Sequence, residues 1–137
     1  MRTILQILER AGGYRSDLYL RIENPPYMAL VIEATPEPGP LGVPAISVAH
    51  YGEQNGDLMR DPEMCFELGL ADGAHLSAFY YRNDYLGVEQ WSRNIVRGNY
   101  VHLIALHEQH QHFAKTWDNN LRLQGFAQVF TDKCIRG

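Results

Sequence analysis

The segment HYGEQNGDLMRDPEMCFEL, residues 50–68, holds the pair Asn55-Gly56 between two runs of strand-like pattern. Asn-Gly is the strongest short-range hairpin signal, because a type I′ turn needs φ > 0 at both central residues. A two-residue loop here folds a strand from Ala45 to about Gln54 back onto a strand from Asp57. The ladder then sets Gln54 opposite Asp57, Glu53 opposite Leu58, Gly52 opposite Met59, Tyr51 opposite Arg60 and His50 opposite Asp61. Side chains alternate between faces, so His50, Gln54, Asp57 and Asp61 share one face and Tyr51, Glu53 and Arg60 the other. Met64, Phe66 and Leu68 alternate with Glu63, Cys65 and Glu67, which predicts a further half-buried strand.

Working outward, Leu18, Leu20 and Ile22 alternate with Tyr19, Arg21 and Glu23, and Asn24-Pro25-Pro26 turns the chain into a second run at Met28–Glu33, so these form a hairpin. Before them, Ile4, Ile7, Leu8 and Ala11 make one helical stripe that Gly12-Gly13 ends, with Thr3 and Gln6 spaced as a capping box. Four prolines in TPEPGPLGVP, residues 35–44, forbid a helix or an interior strand and predict an ordered loop. Downstream, Ala71-Asp72-Gly73 turns into a strand at Ala74–Arg82, Asn83-Asp84 turns again, and Tyr85–Trp91 reads as a last short strand, in which Gly87 suggests a bulge or a close backbone approach. From Asn99 the period changes: Leu103, Leu106, His110, Phe113, Trp117 and Leu121 form a helical stripe, capped by Asn99 and stopped by Gly125. The expected fold is α+β, an antiparallel sheet of about six meandering strands flanked by a short N-terminal helix and a long C-terminal helix.

The chain has 137 residues, 45% of them apolar and 20% charged, which predicts a single domain over 1–137 whose core needs no disulfide or structural metal. A net charge of −4 disfavours nucleic-acid binding by general phosphate neutralisation. The charge is uneven: residues 53–72 carry a net of −5 and residues 93–137 a net of +3. Cys65 and Cys134 are too few for a secreted disulfide framework and read as reduced thiols. MRTILQILERAGG lacks the apolar region of a signal peptide, and no run approaches the roughly 20 apolar residues of a membrane span, so a cytoplasmic protein with no membrane contact is expected.

Three segments together, HYGEQNGDLMRDPEMCFEL at 50–68, YYRNDYLGVEQ at 80–90 and FAKTWDNNLRLQGF at 113–126, carry a resemblance. With TILQILERAGG near the start, the chain resembles a family of small uncharacterised bacterial proteins, a domain of unknown function found on conjugative elements, plasmids and prophages. The resemblance implies an accessory protein of a mobile element, near conjugation, replication and anti-restriction functions. It implies no activity, catalytic residue or cofactor.

Read from the residues, the hairpin is the richest constellation. A His50–Asp61 pair has the geometry of a general base, and the carboxylates of Glu53, Asp57 and Asp61 are ligands for a hard cation such as Mg²⁺. The same cross-strand pairs also simply stabilise hairpins, and no nucleophile signature accompanies them. A recognition surface of His50, Tyr51, Glu53, Gln54, Asn55, Asp57, Arg60 and Asp61 is the favoured reading, extended by Tyr81, Arg82 and Trp91. His102, His107, His110 and His112 suggest metal at first sight, but four residues after His107 stands Gln111 and the H-E-x-x-H pattern is absent. Hydrolase, NTPase, dinucleotide and thiol-redox signatures are missing as well. These observations favour a non-enzymatic factor with a protein partner and no cofactor, one form of which is an inhibitor of a host defence system, anti-CRISPR or anti-restriction. The alternatives are a small metal-assisted hydrolase or nuclease on His50, Glu53, Asp57 and Asp61, and a nucleic-acid accessory module on Tyr81, Arg82, Trp91 and Arg93.

Overall fold

A computed structural model describes residues 1–69 and 75–136, with side chains through residue 131. The turn expected at Ala71-Asp72-Gly73 and the thiol of Cys134 lie outside the described residues. In chain order the elements are α1 (Arg2–Arg10), β1 (Tyr19–Asn24), β2 (Tyr27–Ala34), β3 (Ala45–Gln54), β4 (Asp57–Gly69), β5 (His75–Asn83), β6 (Val88–Trp91), β7 (Arg93–Val96), β8 (Asn99–His102), α2 (Ile104–Leu123) and α3 (Phe126–Arg136). Strands β1 to β6 form one antiparallel sheet in sequence order, and β7 pairs with β8 as a separate two-stranded ribbon. The α+β meander with a short first helix and a long second one is therefore as expected.

The helices lie on one face of the sheet. There Ile22, Leu30, Ile32, Ile46, Val48, Met64, Phe66, Leu76 and Ala78 of the strands pack against Ile4, Ile7 and Leu8 of α1, Ala114, Trp117 and Leu121 of α2, and Phe126 of α3. Trp117 is 5% exposed and anchors α2 to the sheet, and Gly125, at φ +82°, follows the Gln124 cap as a C′ glycine should.

Two bulges decide which side chains share a face. In β3–β4 the register runs Tyr51↔Arg60 but then Ala49↔Glu63, so His50 stands opposite both Asp61 and Pro62. Proline has no N–H to give the ladder, and a bulge is where a strand tolerates it. The return strand and the run at 63–68 are consequently one continuous strand, β4. In β4–β5, Cys65 pairs with Tyr80 while Phe66 pairs with Ala78, leaving Phe79 as the extra residue.

Three local expectations are corrected. Thr3 and Gln6 form no capping box: α1 starts earlier, with Met1 as N-cap, and the Thr3 N–H donates to Asp118 Oδ1 at 3.0 Å, so a carboxylate from α2 serves the orphan donors of α1. Asn99 does not cap the long helix but opens β8; Arg97 (φ +53°) and Gly98 (φ +80°) reverse the chain between β7 and β8, and α2 begins only at Ile104. Gly87, at φ +64°, closes the turn between β5 and β6 instead of forming a bulge. Beyond Gly125 the chain is helical again as α3, an element that the sequence reading did not contain.

The proline-rich segment packs on the opposite face of the sheet. The Leu41 N–H donates to Glu67 Oε2 at 2.9 Å, and Gly39 sits so close that a Cβ there would meet Glu67 Cγ at 2.2 Å. The other Glu67 oxygen pairs with the Arg93 guanidinium, which also donates to the carbonyls of Ala78 and Ser77; both ionic side chains are almost fully buried. Arg93 thus stitches β7 to β4 and β5 beneath the loop.

Candidate functional site

The Asn-Gly reversal forms as read, with Asn55 at φ +54° and Gly56 at φ +83°, and Gln54↔Asp57, Glu53↔Leu58, Gly52↔Met59 and Tyr51↔Arg60 all paired. Glu53, Gln54, Asn55 and Asp57 are exposed at its tip. His50, by contrast, turns inward under the helices. Its Nδ1 lies 3.0 Å from the Met28 carbonyl oxygen and 3.3 Å from that of Ala29, and its ring packs 5.6 Å from Trp117 and 5.5 Å from Phe126, centroid to centroid. Asp61 accepts a hydrogen bond from Asn83 Nδ2 at 2.8 Å. The expected His50–Asp61 pair is therefore not made: the bulge at Pro62 gives the imidazole to backbone carbonyls and the carboxylate to β5. The bulge at Phe79 puts Tyr81 on the helix-covered side, its ring 5.3 Å from Phe113 and 5.9 Å from His110.

The other face of the sheet brings together Tyr51, Arg60, Arg82 and Trp91, and adds residues that the sequence reading did not single out. Ser47 Oγ donates to Glu63 Oε2 at 2.5 Å, and Arg60 Nε lies 3.2 Å from Glu63 Oε1, an ion contact too poorly aligned for a hydrogen bond. The Arg60 N–H donates to Asp84 Oδ2 at 2.8 Å, Arg82 Nε donates to Asp84 Oδ1 at 2.6 Å, and the Arg60 guanidinium lies 5.8 Å from the centre of the Tyr51 ring. Tyr80 donates to Glu89 Oε2 at 2.6 Å and its ring packs at a tilt against Trp91, 4.5 Å between centroids, with Trp91 43% exposed. Tyr51 and Arg60 fall on one face in the sequence ladder as they do here, whereas the bulge at Phe79 hides from the sequence that Tyr80 and Arg82 join them.

Electrostatics follow from these contacts. Burial alone would raise the Asp84 carboxyl, but the Arg60 amide and the Arg82 guanidinium outweigh it and hold the group below its ordinary range. The hydrogen bond to Asp84 raises Arg82 in return. Burial, and then the charge of Glu63, push the Glu33 carboxyl up. Burial pushes up the Cys65 thiol strongly, so no thiolate nucleophile forms on this face.

The histidines on and before α2 play separate parts. His110 Nε2 donates to Gln90 Oε1 and its Nδ1 accepts from Ser92, each at 3.0 Å, which fastens α2 to β6. Serine, imidazole and an amide oxygen in a row resemble a hydrolytic relay, but Ser92 is fully buried and no substrate reaches it. His102 Nε2 and His107 Nδ1 are hydrogen-bonded to each other at 2.9 Å, and His112 is exposed. Among the described residues, no three of His, Cys, Asp or Glu converge as a metal site, and no helix is long and apolar enough to cross a membrane.

A family model matches residues 2–127, a span that takes in α1, all eight strands and α2. The chain belongs to a domain family of unknown function, DUF6908. No curated protein and no solved structure matches it. The DUF6908 match covers the quoted segments at 50–68, 80–90 and 113–126, and thus the open face of the sheet with its arginines and aromatics.

Proposed function

We propose that the protein is a non-enzymatic accessory factor of a bacterial mobile element that binds a protein partner through the open face of its sheet. The observation that carries this reading is that helices occupy one face, while the other, beyond the part under the proline-rich segment, presents Tyr51, Arg60, Arg82 and Trp91, partly exposed and held in place by Glu63, Asp84 and Tyr80. Trp, Tyr and Arg dominate binding hot spots, and side chains already ordered before contact lose less entropy on docking. The exposed tip at Glu53, Gln54, Asn55 and Asp57 extends the same β-ribbon and supplies a polar rim.

Charge favours protein over nucleic acid. Arg60 and Arg82 share this face with Glu33, Glu63, Asp84 and Glu89, so it is net acidic and repels phosphates. The hydrolase alternative is not carried forward, because His50 points into the helix-covered side and Asp61 is engaged by Asn83. The mobile-element setting, with inhibition of a host defence system as one form, is supported by the family resemblance alone.

The test is capture from bacterial host lysate on the immobilised protein, with an Arg82→Glu, Trp91→Ala variant alongside. A stoichiometric protein partner retained by the parent and lost by the folded variant is the expected result. Equal retention by both, or no partner at physiological salt, overturns the reading.

A further inference from the structure

The β7–β8 ribbon is separate from the six-stranded sheet, and toward its turn it is open to solvent. Except for the half-buried Val101, every residue from 95 to 105 is exposed. Five large apolar side chains fall in that stretch, Ile95, Val96, Tyr100, Leu103 and Ile104, each between 41% and 65% exposed. A two-stranded hairpin by itself is at best marginally stable in water, because it has no third strand or covering helix against which to bury its side chains. Single exposed apolar residues are ordinary, but five of them along one ribbon and the residues that follow it call for cover.

The backbone shows which edge of the ribbon is open. The Leu103 N–H donates to the Ser92 carbonyl at 2.8 Å, so the amides of Leu103, Val101 and Asn99 face β7 and those of Tyr100 and His102 point away from it. On the β7 side, the outward N–H of Ile95 is answered by Asn94 Oδ1 at 2.9 Å, and Arg93 ties that strand to the Ala78 and Ser77 carbonyls. Tyr100 and His102 make no backbone hydrogen bond on their outward side among the described residues. Exposed edges are commonly guarded by a lysine, a proline or a bulge, and β8, short as it is, carries none of these.

We infer that β8 is the two-fold seam of a homodimer, pairing antiparallel with β8 of a second copy so that Val101 meets Val101 across the axis and the outward amides of Tyr100 and His102 exchange hydrogen bonds. This register uses both outward residues of each strand, and it joins two ribbons of two strands into one sheet of four. No like charges oppose each other along the seam, because β8 carries no Lys, Arg, Asp or Glu. Charge also favours a second copy over a foreign strand. The same register lays the Arg97 turn of each copy beside the start of α2 in the other, where Glu108 follows. Both side chains are exposed, and among the described residues neither joins an ion pair within its own chain. A two-fold axis makes that contact twice. The seam contains none of Tyr51, Arg60, Arg82 and Trp91, so it stands or falls independently of the protein-binding reading.

Sedimentation equilibrium of the purified chain alone, up to about 500 µM, reads the seam. A mass twice that of one chain is expected at the upper end, with a dissociation constant on the order of 10 µM, as suits a small interface. Tyr100→Pro removes an outward N–H and leaves the β7–β8 ladder its bonds, whereas Tyr100→Ala shortens the same side chain and keeps the N–H. The proline variant should associate at least about tenfold more weakly than the alanine one. Arg97→Glu should weaken association about tenfold, and Arg97→Glu with Glu108→Arg, two exposed positions, should restore it. A single-chain mass throughout, an assembly larger than two chains, equal association of the two Tyr100 variants, or a dimer indifferent to both charge changes overturns the inference.

Discussion

Arg93 and Glu67 are each 2% exposed, and their ion pair is surrounded by the Ala78 and Ser77 carbonyls on one side and the Leu41 amide on the other. Every hydrogen-bonding demand of the carboxylate is met from two directions, so breaking one leaves a charge stranded in a dry site. Arg93→Met is expected to cost about 3–5 kcal/mol, whereas Arg93→Met with Glu67→Leu should recover a large part of that loss, because an uncompensated charge costs more than an absent pair. Urea unfolding of the two variants checks this, and equal midpoints would refute it. Gly39 belongs to the same arrangement: a methyl there meets a Glu67 side chain that cannot swing away without giving up Arg93 or Leu41, so Gly39→Ala should destabilise by about 1–3 kcal/mol. Nothing in the spacing of TPEPGPLGVP announces this contact, because it joins residues far apart in sequence; composition shows that the segment is a loop, and only the fold shows what the loop covers.

At the level of elements, what was legible is what local chemistry determines. Asn55-Gly56 dictates its own turn, the alternation of residues 45–54 its own strand, and the stripe from Leu106 to Leu121 its own helix. The displaced side chains of the sheet share one physical cause, the bulge. A bulge adds one residue to one strand and reverses every inside–outside assignment beyond it, yet Pro62 gives only a hint of the first and Phe79 no sign of the second. The first leaves His50 opposite both Asp61 and Pro62, and the second sends Tyr81 under α2 and places Tyr80 and Arg82 on the open face. The ribbon β7–β8 was missed for another reason: an Arg97-Gly98 turn between strands of four residues is a weak signal beside the helical period that follows it. Trp117, on the apolar stripe of α2 and buried against the sheet, makes a prediction of its own. Trp117→Ala should lower stability by about 3–5 kcal/mol through lost burial and the cavity left behind, measured by the urea midpoint at neutral pH.

For the molecule as a whole, three imidazoles tie stability to pH. Burial lowers the pKa of His50, of His110 and of His107, and the charge of Arg93 adds to the effect at His107. Each ring is therefore neutral in the folded chain at a pH where the unfolded chain, with an ordinary histidine pKa of about 6.5, has begun to bind a proton. Stability changes with pH as the protons bound by the unfolded state less those bound by the folded state, so it rises with pH in this range. The contribution is complete above about pH 6.5 and is lost as pH falls toward the depressed folded values, by at most about 1.4 kcal/mol per pH unit for each ring. The carboxylates titrate lower, with Asp84 held down by its arginine partner and Glu33 moved up by burial, so a window from pH 7.5 to about 5.5 isolates the histidines best. His110→Gln, which keeps a polar group between Ser92 and Gln90, should flatten the decline of the urea midpoint across that window although it lowers stability at pH 7.5. A slope unchanged by His110→Gln would mean that the buried ring between α2 and β6 titrates as it does in the unfolded chain.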